Sequence, residues 1–120
     1  MDYEQLQADV TKLEKIAKGF ASPTDGGPLK EFAVGLRSIL QALLKDRKEQ
    51  VRPGQICKDA AAKSLIPGEV AARADVLLIK WGGNVTPQDP QSIQDGAEKF
   101  KAVAEKVLPV LKSYQKDAKK

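Results

Sequence analysis

The sequence contains no histidine among its 120 residues. Histidine is the side chain most suited to general acid and base catalysis near neutral pH, and it is a common ligand of metal ions. Its absence also excludes phosphorelay through a helical phosphotransfer domain and the Glu-x-x-His pairs of di-iron helical bundles. We therefore expect a protein that is not an enzyme and that holds no metal and no other cofactor.

Cysteine is almost absent as well, since Cys57 is the single one in the chain. One cysteine cannot form a disulfide within the chain, so a disulfide framework is excluded. Cys57 lies beside Ile56 and shares a face of small apolar residues with Ala60 and Ala61. A nucleophilic cysteine needs an exposed, electropositive setting, so we interpret Cys57 as a small residue of the core.

Long apolar runs and aromatic residues are also scarce. No run of 18 or more apolar residues occurs, so no transmembrane helix is predicted, and the polar first five residues do not resemble a signal peptide. A cytoplasmic protein is the default interpretation, with a secreted form whose leader has been removed as the alternative. Aromatic residues make up 5% of the chain, so we expect a core of Leu, Ile, Val and Ala, as in helix bundles.

The overall composition is that of one soluble globular domain covering residues 1–120. The chain is 42% hydrophobic and 30% charged, with 20 basic and 16 acidic residues and a net charge of +4. Basic and acidic side chains alternate, as in Lys-Asp-Arg-Lys-Glu at 45–49. This mixture is typical of a solvated helical surface and differs from the concentrated basic face of a nucleic-acid-binding domain.

Both ends of the chain carry a helical pattern. Residues 2–20 form the first predicted helix, with Asp2 as its N-cap. The last predicted helix begins at Asp89 or Ser92, and Pro109 in its middle is expected to kink it. Its apolar stripe repeats every three or four residues: Ile93, Ala97, Phe100, Ala104, Val107, Leu111, Tyr114 and Ala118.

Two further patterns lie between these ends. The second predicted helix runs from Pro28 to Gln50 and has the widest apolar stripe, with Lys30 and Arg37 among the residues on its solvent face. A third pattern starts near Pro53 and is interrupted at Pro67, which predicts two short helices or one helix broken there. The apolar run 76–79 is assigned to this helical region because no second β-rich run exists to pair with it.

These patterns predict an all-α fold, namely a four-helix bundle made of two αα-hairpins in up-down-up-down order. In this fold helix 3 is broken near Pro67 and helix 4 is kinked at Pro109. The Gly-Gly pairs at 26–27 and 82–83 fall in the hairpin loops. They lack the Lys-Ser/Thr of a phosphate-binding loop, so we interpret them as turn and cap residues.

The candidate functional residues follow from the few distinctive side chains. Asp75 with Glu69 nearby is interpreted as solvated surface. Trp81 and Asn84 are the candidate partner-binding residues, because tryptophan is enriched at binding centres and Asn84 lies in the adjoining Gly-Gly-Asn loop. For Trp81, closure of the core is the favoured competing interpretation. The expected function is non-catalytic protein-protein interaction, as an adaptor, an assembly subunit or an immunity-type protein.

The alternative function is nucleic-acid binding, as a helical module or a small subunit of a nucleoprotein complex. Its candidate residues form the basic corner between helices 2 and 3, which we define as Lys45, Arg47, Lys48, Arg52, Lys58 and Lys63. Residues 55–73 bear some resemblance to a DNA-binding helix-turn-helix. They lack the turn glycine and offer only Glu69 and Arg73 to contact bases, so an ordinary αα-corner is the favoured interpretation.

Overall fold

The computed structural model describes residues 2–114, which form helices and loops without a strand. This agrees with the predicted all-α class. The helices are α1 (Tyr3–Lys18), α2 (Gly27–Asp46), α3 (Ile56–Ala62), α4 (Ala71–Trp81) and α5 (Pro90–Lys112). Short 3-10 turns at Gly19–Ala21 and Gly68–Val70 follow α1 and precede α4. Within the described residues, no helix combines the length and the apolar character that a membrane span requires.

The first helix begins as predicted. The Asp2 side chain accepts a hydrogen bond from the backbone N–H of Gln5 at 3.0 Å, which satisfies one of the free donors of the first turn. The 3-10 turn after α1 then carries Phe20 into the core. Its ring lies 5.4 Å from that of Phe32 and 5.8 Å from that of Phe100, so α1, α2 and α5 meet at one aromatic cluster.

Helix α2 ends at Asp46, so the predicted end at Gln50 is wrong. The chain leaves the helix through a Schellman motif, in which Glu49 N–H bonds to Leu44 O at 2.8 Å and Lys48 N–H bonds to Lys45 O at 2.9 Å. Lys48 takes the left-handed conformation, with φ of 59°. That position usually holds glycine, so the helix end has no marker in the sequence.

The pattern interrupted at Pro67 forms two separate helices, which is one of the two predicted outcomes. α3 ends at Ala62, and Ser64 adopts a left-handed φ of 60° before the 3-10 turn leads into α4. Pro67 itself is extended, with ψ of 133°. The apolar run 76–79 lies within α4, as the helical interpretation requires.

Helix α5 begins after Asp89, whose carboxylate accepts the backbone N–H of Ser92 at 2.9 Å. Pro109 lies in the last turn of α5, followed in the helix only by residues 110–112, and not in its middle as predicted. The predicted kink stays a prediction. Ala118 of the apolar stripe lies outside the described residues.

One apolar core contains residues from each of the helices named above, including the short α3. α2 packs against all four other helices and buries the residues Leu29, Phe32, Ala33, Leu36, Ile39, Leu40, Leu43 and Leu44. α1 and α5 pack against each other, and α4 packs between α3 and α5. This arrangement leaves one side of α4 uncovered.

Candidate functional site

The outer face of α4 departs from the usual helical pattern. Val76 and Ile79 are each 62% exposed and lie one turn apart, and Val85 in the following loop is 89% exposed. Single exposed apolar side chains are ordinary, but two on one helical face form a patch. We define the outer face of α4 as its exposed residues, which are Ala72, Arg73, Val76, Ile79 and Lys80.

A groove of about 260 Å³ runs beside this face, between α4 and α5. We define this α4/α5 groove by its lining residues Arg73, Val76, Leu77, Lys80 and Trp81 of α4 and Asp95, Gly96 and Lys99 of α5. Its lining thus contains three basic side chains and one acidic side chain. The Asp95 carboxylate pairs with Lys99 at 3.0 Å, so the charges of Arg73 and Lys80 are not balanced within the groove.

Asp89 is an acidic group whose charge interacts with that of Lys80 at the end of α4. Its pKa is lowered, chiefly because its carboxylate accepts hydrogen bonds from Ser92, and to a smaller extent because of the Lys80 ammonium group. Asp89 therefore remains charged at neutral pH and serves as the N-cap of α5. Arg73, at the other end of the groove, forms no ion pair with the residues that the structure describes.

Trp81 forms part of the inner wall of the groove and is fully buried, as the core interpretation expects. A Cβ atom placed on Gly96 would lie 2.8 Å from the indole Nε1, and one on Gly26 would lie 3.2 Å from Cζ3. The two glycines therefore make room for the ring. Its Nε1–H has no hydrogen-bond partner among the described residues, and the ring itself offers no exposed surface to a partner.

Asn84, the other candidate, is exposed in the loop that follows α4. Two cations of α2 hold this loop in place. Arg37 donates to the carbonyls of Leu78 at 3.0 Å and Gly82 at 3.4 Å, and Lys30 donates to the carbonyl of Gly83 at 2.9 Å. The end of a helix presents unpaired carbonyls with partial negative charge, which explains this capping.

This capping corrects two sequence interpretations. Lys30 and Arg37 do not lie on a freely solvated face of α2, because their side chains form partly buried hydrogen bonds with the end of α4 and the loop that follows it. Nothing in the local pattern of α2 could show this, since the acceptors lie more than 40 residues away in the sequence.

Asp75 is the most unusual side chain of α4, because it is a carboxylate only 4% exposed. It accepts the backbone N–H of Cys57 at 2.8 Å and that of Lys58 at 3.0 Å. These are first-turn donors of α3, whose own N-cap Gln55 makes no side-chain hydrogen bond. Asp75 thus caps a helix from another part of the chain, and its interpretation as solvated surface is wrong.

The same contact determines the chemistry of Cys57. Burial raises the pKa of its thiol far above the ordinary value, and the neighbouring Asp75 carboxylate raises it further. The thiolate is the nucleophilic form of cysteine, so a buried neutral thiol is chemically quiet. The structure confirms Cys57 as a residue of the core.

The basic corner is exposed at all six positions, but half of its charges are paired. Its ion pairs are Arg47 with Asp46 at 3.7 Å, Arg52 with Asp59 at 3.1 Å and Lys63 with Glu49 at 3.3 Å. In the part of the chain that the structure describes, Lys45, Lys48 and Lys58 have no acidic partner. The positive electrostatic potential at the basic corner is therefore weaker than six unpaired basic side chains would produce.

A larger groove of about 860 Å³ lies between α1 and α2. Its lining includes Ile16, Pro28 and Val34, but Val34 is less exposed than the two residues of α4, at 41%. Its charged lining residues are Asp9, Lys12, Asp25, Lys30 and Glu31. These charges nearly balance, so the groove favours no particular charge in a partner.

Comparisons with protein-family models, with curated proteins and with solved structures find no match for this chain. Within residues 2–114, no three Cys, Asp or Glu side chains come together in a cluster that could hold a metal ion. The candidate site therefore depends on the geometry of α4 and its neighbours.

The sequence did contain a sign of the outer face of α4 that residue-by-residue analysis missed. The four apolar residues 76–79 follow one another, and consecutive helical residues are rotated by about 100° each. Four such residues cover about 300° of the helix circumference, so they cannot all face one core. At least one of them had to be exposed or covered by a partner.

Proposed function

We propose that this protein is a non-catalytic helical bundle that binds another protein through the outer face of α4 and the α4/α5 groove. It would act as an adaptor, an assembly subunit or an immunity-type protein. In this proposal α1 with α2 and α4 with α5 form two αα-hairpins in up-down-up-down order, and α3 is a short helix attached at the corner. The observation that carries the proposal is the 62% exposure of both Val76 and Ile79.

The physical argument concerns what exposed Val and Ile cost the isolated protein. Burial of such a side chain is worth about 1.5 to 3 kcal/mol, which the free protein does not gain here. Neither residue helps the helix itself, because β-branched residues have a lower helix propensity than Lys, Glu or Gln. Burial against a partner explains why apolar residues occupy positions 76 and 79.

Asn84 and Val85 extend this surface beyond the end of α4, on a loop whose carbonyls are held by Lys30 and Arg37. A loop held in this way loses little conformational entropy when it is bound. Trp81 supports the surface from inside and does not contact the partner.

Site-specific photo-crosslinking tests the proposal. A photoreactive residue at position 76 is compared with the same residue at position 15, where Lys15 is exposed on α1 and lines none of the grooves described above. We expect a discrete protein adduct at position 76 that disappears when Ile79→Asp is added. Equal adducts at both positions, or none at position 76, would contradict the proposal.

Nucleic-acid binding is the second candidate, supported by the three exposed lysines without acidic partners, Lys45, Lys48 and Lys58. Phosphate contacts would make the affinity for a random duplex fall steeply with salt. Under the leading proposal we expect duplex affinity no tighter than about 10⁻⁴ to 10⁻⁶ M at physiological salt, the usual non-specific range. Submicromolar binding that is lost when the three lysines are changed to Ala would favour the second candidate.

A further inference from the structure

We infer that the partner presents an acidic amphipathic helix, which lies along the α4/α5 groove. This inference rests on the proposed function and adds the chemistry of the partner. Arg73, Val76 and Lys80 are spaced by three and four residues, so they lie on one stripe of α4. The stripe is therefore an apolar contact flanked by a cation on each side.

The spacing of the two cations fits a second helix. Arg73 and Lys80 are separated by two helical turns, a rise of about 10.5 Å. Two acidic residues seven positions apart on a partner helix have the same separation, and an apolar residue between them would meet Val76. An Arg guanidinium can also bind a carboxylate through two parallel hydrogen bonds, which makes Arg73 the better defined of the two anchors.

The acidic groups close to the groove do not neutralise the positive charge of Arg73 and Lys80. Asp95 is paired with Lys99, and Glu69 pairs with Lys106 at 3.7 Å. Asp89 accepts hydrogen bonds from Ser92 at the start of α5. The lining thus has an excess of positive charge, which favours an acidic partner by electrostatic complementarity.

The size of the face favours a single helix over a second copy of the bundle. α4 has 11 residues and is therefore about 16 Å long. A stable interface between two globular proteins buries about 800 Å² on each partner, more than one short helical face with two large apolar side chains provides. A partner helix of three turns matches this length.

The test uses two synthetic 16-residue helical peptides with the same apolar stripe, flanked by Glu in one and by Lys in the other. Calorimetry gives the affinity of each peptide for the protein. We expect the Glu peptide to bind more tightly than the Lys peptide, with an affinity that falls as salt is added.

Charge reversal identifies where the peptide binds. The variant Arg73→Glu with Lys80→Glu should lower the affinity for the Glu peptide by about tenfold or more. The same variant should bind the Lys peptide more tightly than the unchanged protein does. The matched control Lys45→Glu with Lys48→Glu changes the net charge equally at the basic corner and should leave the affinity unchanged. All four positions are exposed, and circular dichroism verifies that each variant is folded.

The other outcomes separate this inference from the proposed function. If both peptides bind equally and Val76→Asp with Ile79→Asp abolishes binding, the docking surface stands but the acidic partner is refuted. If only the control variant loses binding, both the inference and the α4 surface are refuted. The inference of an acidic helical partner is also refuted if neither peptide binds. It is refuted as well if sedimentation shows that the protein self-associates and Val76→Asp with Ile79→Asp abolishes this self-association.

Discussion

α4 and α5 pack side by side, yet their sequence patterns relate to burial in different ways. In α5 the buried residues are apolar or glycine, and the exposed ones are polar or charged apart from its two prolines. In α4 the carboxylate of Asp75 is buried, while Val76 and Ile79 are largely exposed. α5 thus follows the rule for an amphipathic helix, and α4 departs from it on both sides.

The two departures have different causes. Asp75 is buried because α3 lacks a capping side chain of its own, and the carboxylate satisfies two N–H groups there. Val76 and Ile79 make no comparable internal contribution, and the proposed partner accounts for them. A helix that only fills the core can keep the simple pattern, as α5 does. α4 also caps α3 through Asp75 and, in the proposed function, presents a surface to a partner.

The largest effect expected from this comparison is that of Asp75→Ala on stability. It leaves the backbone N–H groups of Cys57 and Lys58 without an acceptor, so we expect a loss of about 2 to 4 kcal/mol in the free energy of unfolding. Asp75→Asn, which keeps one acceptor oxygen, should lose less. Asp95→Ala on α5 removes only a surface ion pair and should stay within about 0.5 kcal/mol. Equal denaturant midpoints for Asp75→Ala and Asp95→Ala would contradict the capping role.

A smaller effect is expected for Gly96→Ala, where α5 approaches α4. The added Cβ would lie 2.7 Å from Leu29 Cδ2 and 2.8 Å from the Trp81 ring. Overpacking of this kind costs about 1 to 3 kcal/mol, which exceeds the gain of about 1 kcal/mol in helix propensity over most of that range. We expect a lower denaturant midpoint and a shifted Trp81 emission.

Gly19→Ala is the matched control for this change. No atom lies within 4 Å of a Cβ at Gly19, and its φ of −77° suits any residue. We expect it to be neutral or to stabilise the protein by up to about 1 kcal/mol. If Gly96→Ala behaves like Gly19→Ala, α4 and α5 are not as tightly packed around Trp81 as described.

The smallest effect is expected on the outer face of α4. Val76→Ala and Ile79→Ala remove exposed atoms and replace β-branched residues by the best helix former, so the free energy of unfolding should change by no more than about 0.5 kcal/mol for each. Val103→Ala on α5, where the side chain is fully buried, should cost about 1 to 3 kcal/mol. Thermal or denaturant unfolding checks both, and similar losses on the two helices would mean that the face of α4 is covered within the protein.

Much of the fold could be predicted because its determinants are local. The apolar spacing in α1 and α5 and the caps Asp2 and Asp89 lie within the helices that they specify or directly before them. The break at Pro67 is equally local, since proline disfavours helical continuation wherever the chain goes. The end of α2 was missed because Lys48, and not glycine, adopts the left-handed conformation there.

The candidate site was harder to predict than the fold. Trp81 was selected for its residue type, but Gly26 and Gly96 open a place for it inside the protein. The basic corner was selected for its charge, but the ion pairs of Arg52 and Lys63 depend on how α3 meets the end of α2. The positions of Arg73 and Lys80 beside a groove could not be predicted, because the groove exists only where α5 packs against α4.

The sequence by itself determined that this chain forms amphipathic helices, because the repeat of apolar residues and the capping residues act over one or two turns. It also determined that Cys57 belongs to a small apolar face. Only the tertiary structure decided which side of α4 is covered, because the apolar run 76–79 offers more than one face to the core. The same holds for Asp75, since a buried carboxylate is stable only where distant backbone donors meet it.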